Sequence, residues 1–269
     1  MKPEILEAAD AAMPAALDRL FELLRIQSIS TDSDYADACK TAADWLVEDL
    51  TSIGFTASRR DTPGHPMVVA HHDGPGPHVL FYGHYDVQPV DPLELWNSDP
   101  FDPQLEDTPK GKVIRARGAS DDKGQLMTFV EACRVLKAET GDLPCKITIL
   151  FEGEEESGSP SLTPFLKANA DELRADFAMV CDTGMWDADT PAICTTLRGL
   201  VGEEVTIQGA DIDLHSGGYG GPAVNPLRVL SHILAGLHDA DGRVTLDGFY
   251  DGVAPISNAT RAQWDSLNF

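Results

Sequence analysis

The sequence predicts an α/β protein, and three observations carry that expectation. Strand-like runs occur at 67–72 (MVVAHH), 78–86 (HVLFYGHYD), 146–153 (KITILFEG) and 176–182 (DFAMVCD). Helical patterns at about 124–138 and 161–170 lie between the later runs, an alternation that builds a sheet through crossover connections. Histidine or acid side chains stand at the ends of the last three runs, where open α/β sheets hold their ligands.

Taken in order, residues 4–26 predict a helix with Leu17, Leu20, Phe21 and Leu24 on one face, open to a break at Pro14. Residues 36–54 predict a second helix through Ala43, Trp45, Leu46 and Leu50, closed by Gly54. The four strands and two further helices follow. The character changes beyond residue 195. LRGLVGEEVTIQGAD (197–211) alternates like a strand with one wet face, and NPLRVLSHILAGLHD (225–239) reads as an amphipathic helix. A domain boundary is expected there, giving domains 1–195 and 196–269. No internal repeat or low-complexity segment occurs.

The 269 residues suffice for one large core or two smaller ones. Their 20 basic and 44 acidic side chains leave a net charge of −24. A surface that acidic repels phosphate backbones and anionic lipid, so neither nucleic acid nor a membrane is an expected partner. No run has the length and apolarity of a membrane span, and MKPEILEAAD is too acidic for a secretory signal. Cys39, Cys133, Cys145, Cys181 and Cys194 are an odd number without a C-x-x-C pair. They are expected reduced and mostly buried, in a cytoplasmic protein, and not as a cysteine zinc site.

The chemistry concentrates in four segments. His84 and Asp86 close VLFYGHYD, Glu152, Glu154, Glu155 and Glu156 follow KITIL, Asp182 closes DFAMVCD, and Asp121 lies in RGASDDKG before a predicted helix. Imidazole and carboxylate are the donors of zinc, manganese or cobalt sites, and one bridging carboxylate can hold two ions about 3.5–4 Å apart. His84 and Asp86, two apart on a strand, face the same way, so Asp86 can accept from the far ring nitrogen of a metal-bound His84. Adjacent glutamates can divide labour, one as ligand and one as general base. Each segment also has a blander reading: a surface His beside an acid, Asp121 as a helix N-cap with Lys123 solvated, a wet acidic turn, a strand-end acid. Consecutive glutamates directly after a buried strand are costly unless neutralised, which weighs against the wet turn.

GHYDVQP (83–89), RGASDDKG (117–124), EGEEESGS (152–159) and VCDTG (180–184) together resemble the dinuclear metallopeptidases in order and spacing. WNSDPFDP (96–103) and LRGLVG (197–202) fit as well. That family includes carnosinase, bacterial dipeptidases, carboxypeptidase G and succinyl-diaminopimelate desuccinylase, and the motifs are nearest to its carnosinase-like dipeptidase branch. The resemblance implies a three-layer α/β/α catalytic domain with an inserted α+β dimerisation or lid domain. It implies two divalent ions, Zn2+ foremost, with Mn2+ or Co2+ as alternatives. His84 and Asp182 would bind the first ion, Asp121 would bridge, and Glu156 would join the second. Glu155 would be the general base and Asp86 would orient His84. Glu152 is expected to be structural, and Glu154 solvated and without a role.

DLHSGGYGG (213–221), by itself a plain glycine-rich loop, presents His215. By resemblance, His215 would reach the partner subunit's site in a homodimer and polarise the scissile carbonyl, and Asn225 would join the substrate-side surface. The other histidines fall outside these motifs. The expected substrate is a dipeptide or a small N-acyl amino acid, with deacylase or carboxypeptidase activity as alternatives to dipeptidase. The family's last His ligand comes from a portion that follows the lid domain, and no histidine follows His238. The chain is therefore expected to be an N-terminal piece of a longer enzyme, with a non-catalytic dimerising fragment as the remaining alternative.

Overall fold

The computed structural model describes residues 3–109 and 111–267. The chain divides into two compact units, 1–195 and 196–269.

The first unit opens with α1 (Pro3–Arg25) and α2 (Ala36–Ile53). Helix α1 runs unbroken through Pro14, contrary to the break entertained above. Pro14 lies on the exposed side, where water can take up the carbonyl that its missing N–H leaves free. Gly54 closes α2 with φ 95°, a left-handed conformation that a Cβ would oppose. Then come β1 (Thr56–Arg60), β2 (Met67–His72), β3 (His78–His84) and a separate hairpin of β4 (Gln104–Thr108) and β5 (Gly111–Arg115). Helix α3 (Lys123–Thr140), β6 (Lys146–Glu152), α4 (Leu162–Ala168) and β7 (Phe177–Val180) complete the unit.

The main sheet has the order β1-β2-β6-β3-β7. Strands β3, β6 and β7 are parallel, while β1 and β2 are antiparallel additions at one side. Alternation along β6 builds two cores. Ile147, Ile149 and Phe151 face α1–α3 and pack with Leu23, Leu46, Leu50 and Val130. Leu150 faces the other way, joining Met67 and Val69 under Leu162 and Phe165 of α4. The layers are thus helices, sheet and helix. Each fully buried aliphatic or aromatic side chain contributes roughly 1.5–3 kcal/mol.

The second unit contains α5 (Ser216–Tyr219), α6 (Pro226–Gly236) and α7 (Asn258–Ser266), and no named strand among its described residues. The strand expected at 197–211 does not form. Among the described residues no neighbouring strand supplies partners for its backbone groups, and Leu197, Leu200 and Val201 stay exposed. The cysteines are also less buried than expected: Cys39 and Cys133 are buried, Cys145 and Cys181 half-buried, and Cys194 exposed.

Candidate metal centre

Parallel pairing brings the C-terminal ends of β3, β6 and β7 to one rim of the sheet. Strand β6, reached from β3 through α3, lies on one side of β3; β7, reached through α4, lies on the other. This reversal of direction opens a crevice at the end of β3, where such sheets bind ligands.

His84 is the last residue of β3, paired in register with Glu152 of β6, and is fully buried. Its Nε2 faces three carboxylates from three separate segments. Asp121 Oδ1 lies at 3.0 Å, and Glu155 Oε2 and Asp182 Oδ2 each lie at 3.9 Å. Ligand atoms of His84, Asp121 and Asp182 fall within 4.8 Å of one another. Asp121 is 61% exposed and Asp182 40%, so the cluster has a buried floor and an open mouth.

On its far side, His84 Nδ1 lies 3.1 Å from the Asp86 carbonyl and 3.4 Å from Asp86 Oδ1. The Asp86 carboxylate, also fully buried, accepts the backbone N–H groups of Glu155 at 3.2 Å and Glu156 at 3.1 Å. One side chain therefore abuts the imidazole and anchors the turn that carries both glutamates. Glu156 Oε2 accepts from Gln88 Nε2 at 2.7 Å. The peptide between Asp121 and Asp122 is cis.

The electrostatics are those of a site short of positive charge. Burial opposes a charged imidazole, yet Asp86, by hydrogen bond and charge, with Asp122 and Glu155, outweighs it and pushes His84 up to about 10. Burial raises Glu155 above the usual carboxylate range; His84 opposes the shift and Glu156 adds to it. Burial also raises Glu156, against the Gln88 hydrogen bond and with the neighbouring charge of Asp121. Among the described residues, no Lys or Arg forms an ion pair with Asp86, Asp121, Glu155, Glu156 or Asp182. An imidazole nitrogen facing uncompensated carboxylates is a donor set that fits a divalent cation of the zinc or manganese type.

The structure thus gathers His84, Asp86, Asp121, Glu155 and Asp182, with Glu156 alongside. The two remaining candidates lie in the second unit. His215 precedes α5, and its Nδ1 accepts from Gly217 N at 3.0 Å. Asn225 caps α6, its Oδ1 accepting from Leu227 N at 2.9 Å.

Two expectations need correction. Glu154 is not solvated: it is 3% exposed, and its carboxylate accepts from His65 N at 3.0 Å and Ser161 N at 3.1 Å. It staples the acidic turn to two neighbouring loops, which makes it structural. Glu152 is buried as well, accepting from the hydroxyls of Tyr82 and Ser159. Lys123 is not the solvated charge of the bland reading. It is fully buried, donating to the carbonyls of Leu23 at 3.1 Å and Ile26 at 2.7 Å, at the end of α1. Asp122, not Asp121, stands at the N-cap position of α3, without a side-chain cap bond. Asp122 and Gln88 are the site neighbours that sequence reasoning passed over; their one signal was membership of RGASDDKG and GHYDVQP.

Residues 80–267 match the family described as Peptidase family M20/M25/M40. The Cys-Gly metallodipeptidase of Schizosaccharomyces pombe is 30% identical over 280 residues, covering 99% of this chain and 58% of its own length. The Beta-Ala-His dipeptidase of Rattus norvegicus is 31% identical over 210 residues, covering 77% of this chain and 42% of its own. A metallo-carboxypeptidase of the same family from Sulfolobus solfataricus superposes with a TM-score of 0.74 at 31% identity, covering 93% of this chain and 56% of that one. The chain therefore spans between about two fifths and three fifths of the length of these relatives.

Proposed function

Because the chain belongs to peptidase family M20/M25/M40, we propose that its protein is a metal-dependent hydrolase that cleaves the peptide bond of dipeptides or short peptides. The observation that carries this is the meeting of Asp121, Asp182 and Glu155 around the buried Nε2 of His84. The relatives' names, Cys-Gly and Beta-Ala-His dipeptidase, point to small dipeptides as the substrate class.

Under this reading His84, Asp121 and Asp182 would hold one divalent ion, and Asp121 with Glu156 would supply the chain's share of a second site. Bound divalent ions, Zn2+ foremost, would lower the pKa of a water and polarise the substrate carbonyl. Glu155 takes the proton from the attacking water. As the C–O bond forms and the C–N bond breaks, Glu155 returns that proton to the leaving nitrogen, and the second water proton follows from the new carboxyl group, giving a carboxylate and an ammonium. Burial raises its proton affinity above that of an ordinary carboxylate, which favours its taking up the proton. Asp86 fixes the imidazole from behind and holds the backbone of Glu155 and Glu156, so ligand and base move as one unit. His215 contributes to oxyanion stabilisation across a homodimer, and Asn225 belongs to the substrate-side surface. A cytoplasmic location belongs to this reading, in keeping with five cysteines that form no disulfide. No helix of the described residues is long and apolar enough to cross a membrane.

The test is Glu155→Gln in the protein assayed on a dipeptide panel. Loss of a general base should lower turnover by roughly 10²–10⁴-fold with metal content unchanged. Near-normal turnover would remove Glu155 from the mechanism.

A further inference from the structure

Asp122 sits beside a proposed ligand and has no part in the chemistry above. It is fully buried, and it does not cap the helix it begins. Its Oδ2 instead accepts the backbone N–H of His84 at 3.0 Å and the S–H of Cys181 at 3.2 Å. The three segments this carboxylate joins are those that carry His84, Asp121 and Asp182. Asp122 follows Asp121 at the start of α3, His84 ends β3, and Cys181 precedes Asp182. The last backbone bond holding the stretch after β7 to β3 is Cys181 N to Tyr82 O, at 3.2 Å. Beside it, the thiol contact with Asp122 ties the approach to Asp182 back to the His84 segment through one carboxylate, while Thr183 N, just past Asp182, donates to Gln125 Oε1 of α3 at 3.2 Å.

Gly83 supplies an independent sign that space is kept for this clamp. A Cβ at Gly83 would come within 2.8 Å of Asp122 Oδ2 and 2.9 Å of Cys181 Sγ. Its backbone is not in the left-handed region, so no conformational demand accounts for the glycine. What requires it is the close approach of carboxylate and thiol, the two nearest groups, with Leu126 Cβ next at 3.2 Å. A buried carboxylate is costly unless its acceptors are used, and an apolar side chain of similar size would fill the same volume without that cost.

We propose that Asp122 is a positioning residue: by joining the His84 N–H and the Cys181 S–H through one carboxylate, it sets the separations among His84, Asp121 and Asp182 that coordination requires. This rests on the metal-centre reading above, and it assigns to the second acid of the DDK sequence a task distinct from that of the first.

The test uses Co2+ alone, titrated into the metal-stripped protein and followed by its visible d–d absorption. Wild type is compared with Asp122→Leu, Asp122→Asn and Gly83→Ala, with circular dichroism to verify folding. Groups that orient metal ligands typically affect affinity by 10–100-fold, so Asp122→Leu should weaken Co2+ binding by roughly that factor and alter the band. Asp122→Asn keeps an acceptor for the His84 N–H and should restore affinity to within about threefold of wild type, which a requirement for charge alone would not allow. Should Asp122→Leu fail to fold, Gly83→Ala decides: it leaves Asp122 in place, displaces its carboxylate, and should weaken binding in the same direction. A wild-type protein that binds Co2+, with a folded Asp122→Leu or Gly83→Ala variant of equal affinity and spectrum, overturns the positioning role alone. Asn as damaging as Leu also overturns it. A wild-type protein that binds no Co2+ overturns the metal centre, and the clamp's purpose with it.

Discussion

Replacing Glu154 should destabilise the protein in an amount that its hydrogen bonds fix. Its carboxylate is 3% exposed and accepts one backbone N–H from His65 and one from Ser161. Ser161 is itself buried, whereas His65 is only half-buried. Glu154→Ala leaves both donors without an acceptor. An unsatisfied buried donor costs about 1–3 kcal/mol, and the half-buried one costs less because water can reach it, so the sum is roughly 2–4 kcal/mol. Glu154→Gln keeps the volume and one oxygen but turns an amide NH2 towards one of the donors, so it should cost about 1–2 kcal/mol. Equilibrium urea unfolding reads the difference as a shift in midpoint at constant slope. A Glu154→Gln variant within about 0.5 kcal/mol of wild type would refute the staple and return Glu154 to the solvated role first expected of it.

Metal uptake should release protons. With His84 pushed up to about 10, the imidazole is protonated near pH 7 in the metal-free protein, so an ion arriving at Nε2 displaces about one proton and binds more weakly as pH falls. Calorimetry in buffers of different ionisation enthalpy measures the release, and identical heats in all buffers would contradict it. Lys123 gives a pH dependence of folding. Burial lowers it from 10.5 to about 7, against the opposing pull of Cys39 and Asp86. Between those values the unfolded chain binds more protons, so this group makes stability rise with pH. Wild type should therefore gain on Lys123→Met between about pH 7 and pH 10 in chelator-treated samples, and a flat difference would show that Lys123 is not depressed.

Strands β2, β3 and β6 were legible because their residues alternate or run apolar over a full strand length, and the ends of β3 and β6 followed at once as places for ligands. Strand β1 was not legible. TASRR holds one apolar residue, and its strand identity comes from pairing Thr56–Arg60 with Met67–His71. The β4–β5 hairpin is a half-exposed surface ribbon, stabilised by its own register rather than by a buried face. The reverse failure occurred at 197–211, where alternation predicted a strand that finds no partner among the described residues. At the site, residue types and strand ends disclosed the acids and the imidazole. They did not disclose the burial of Glu154 and Lys123. Those fates are decided by distant groups, such as the carbonyls of Leu23 and Ile26 about a hundred positions from Lys123, which no local pattern records. Asp122 was hidden for the same reason: its partners His84 and Cys181 lie on two other strands' ends.

The central claim is that His84, Asp121 and Asp182 hold a divalent ion. Elemental analysis of the purified protein beside its Asp121→Ala variant, after equal exposure to zinc and removal of loose metal, tests it most directly. The account predicts stoichiometric zinc in the wild type, about two ions per chain if both sites fill, and its loss in Asp121→Ala. Zinc absent from the wild type, or retained undiminished by Asp121→Ala, would contradict it.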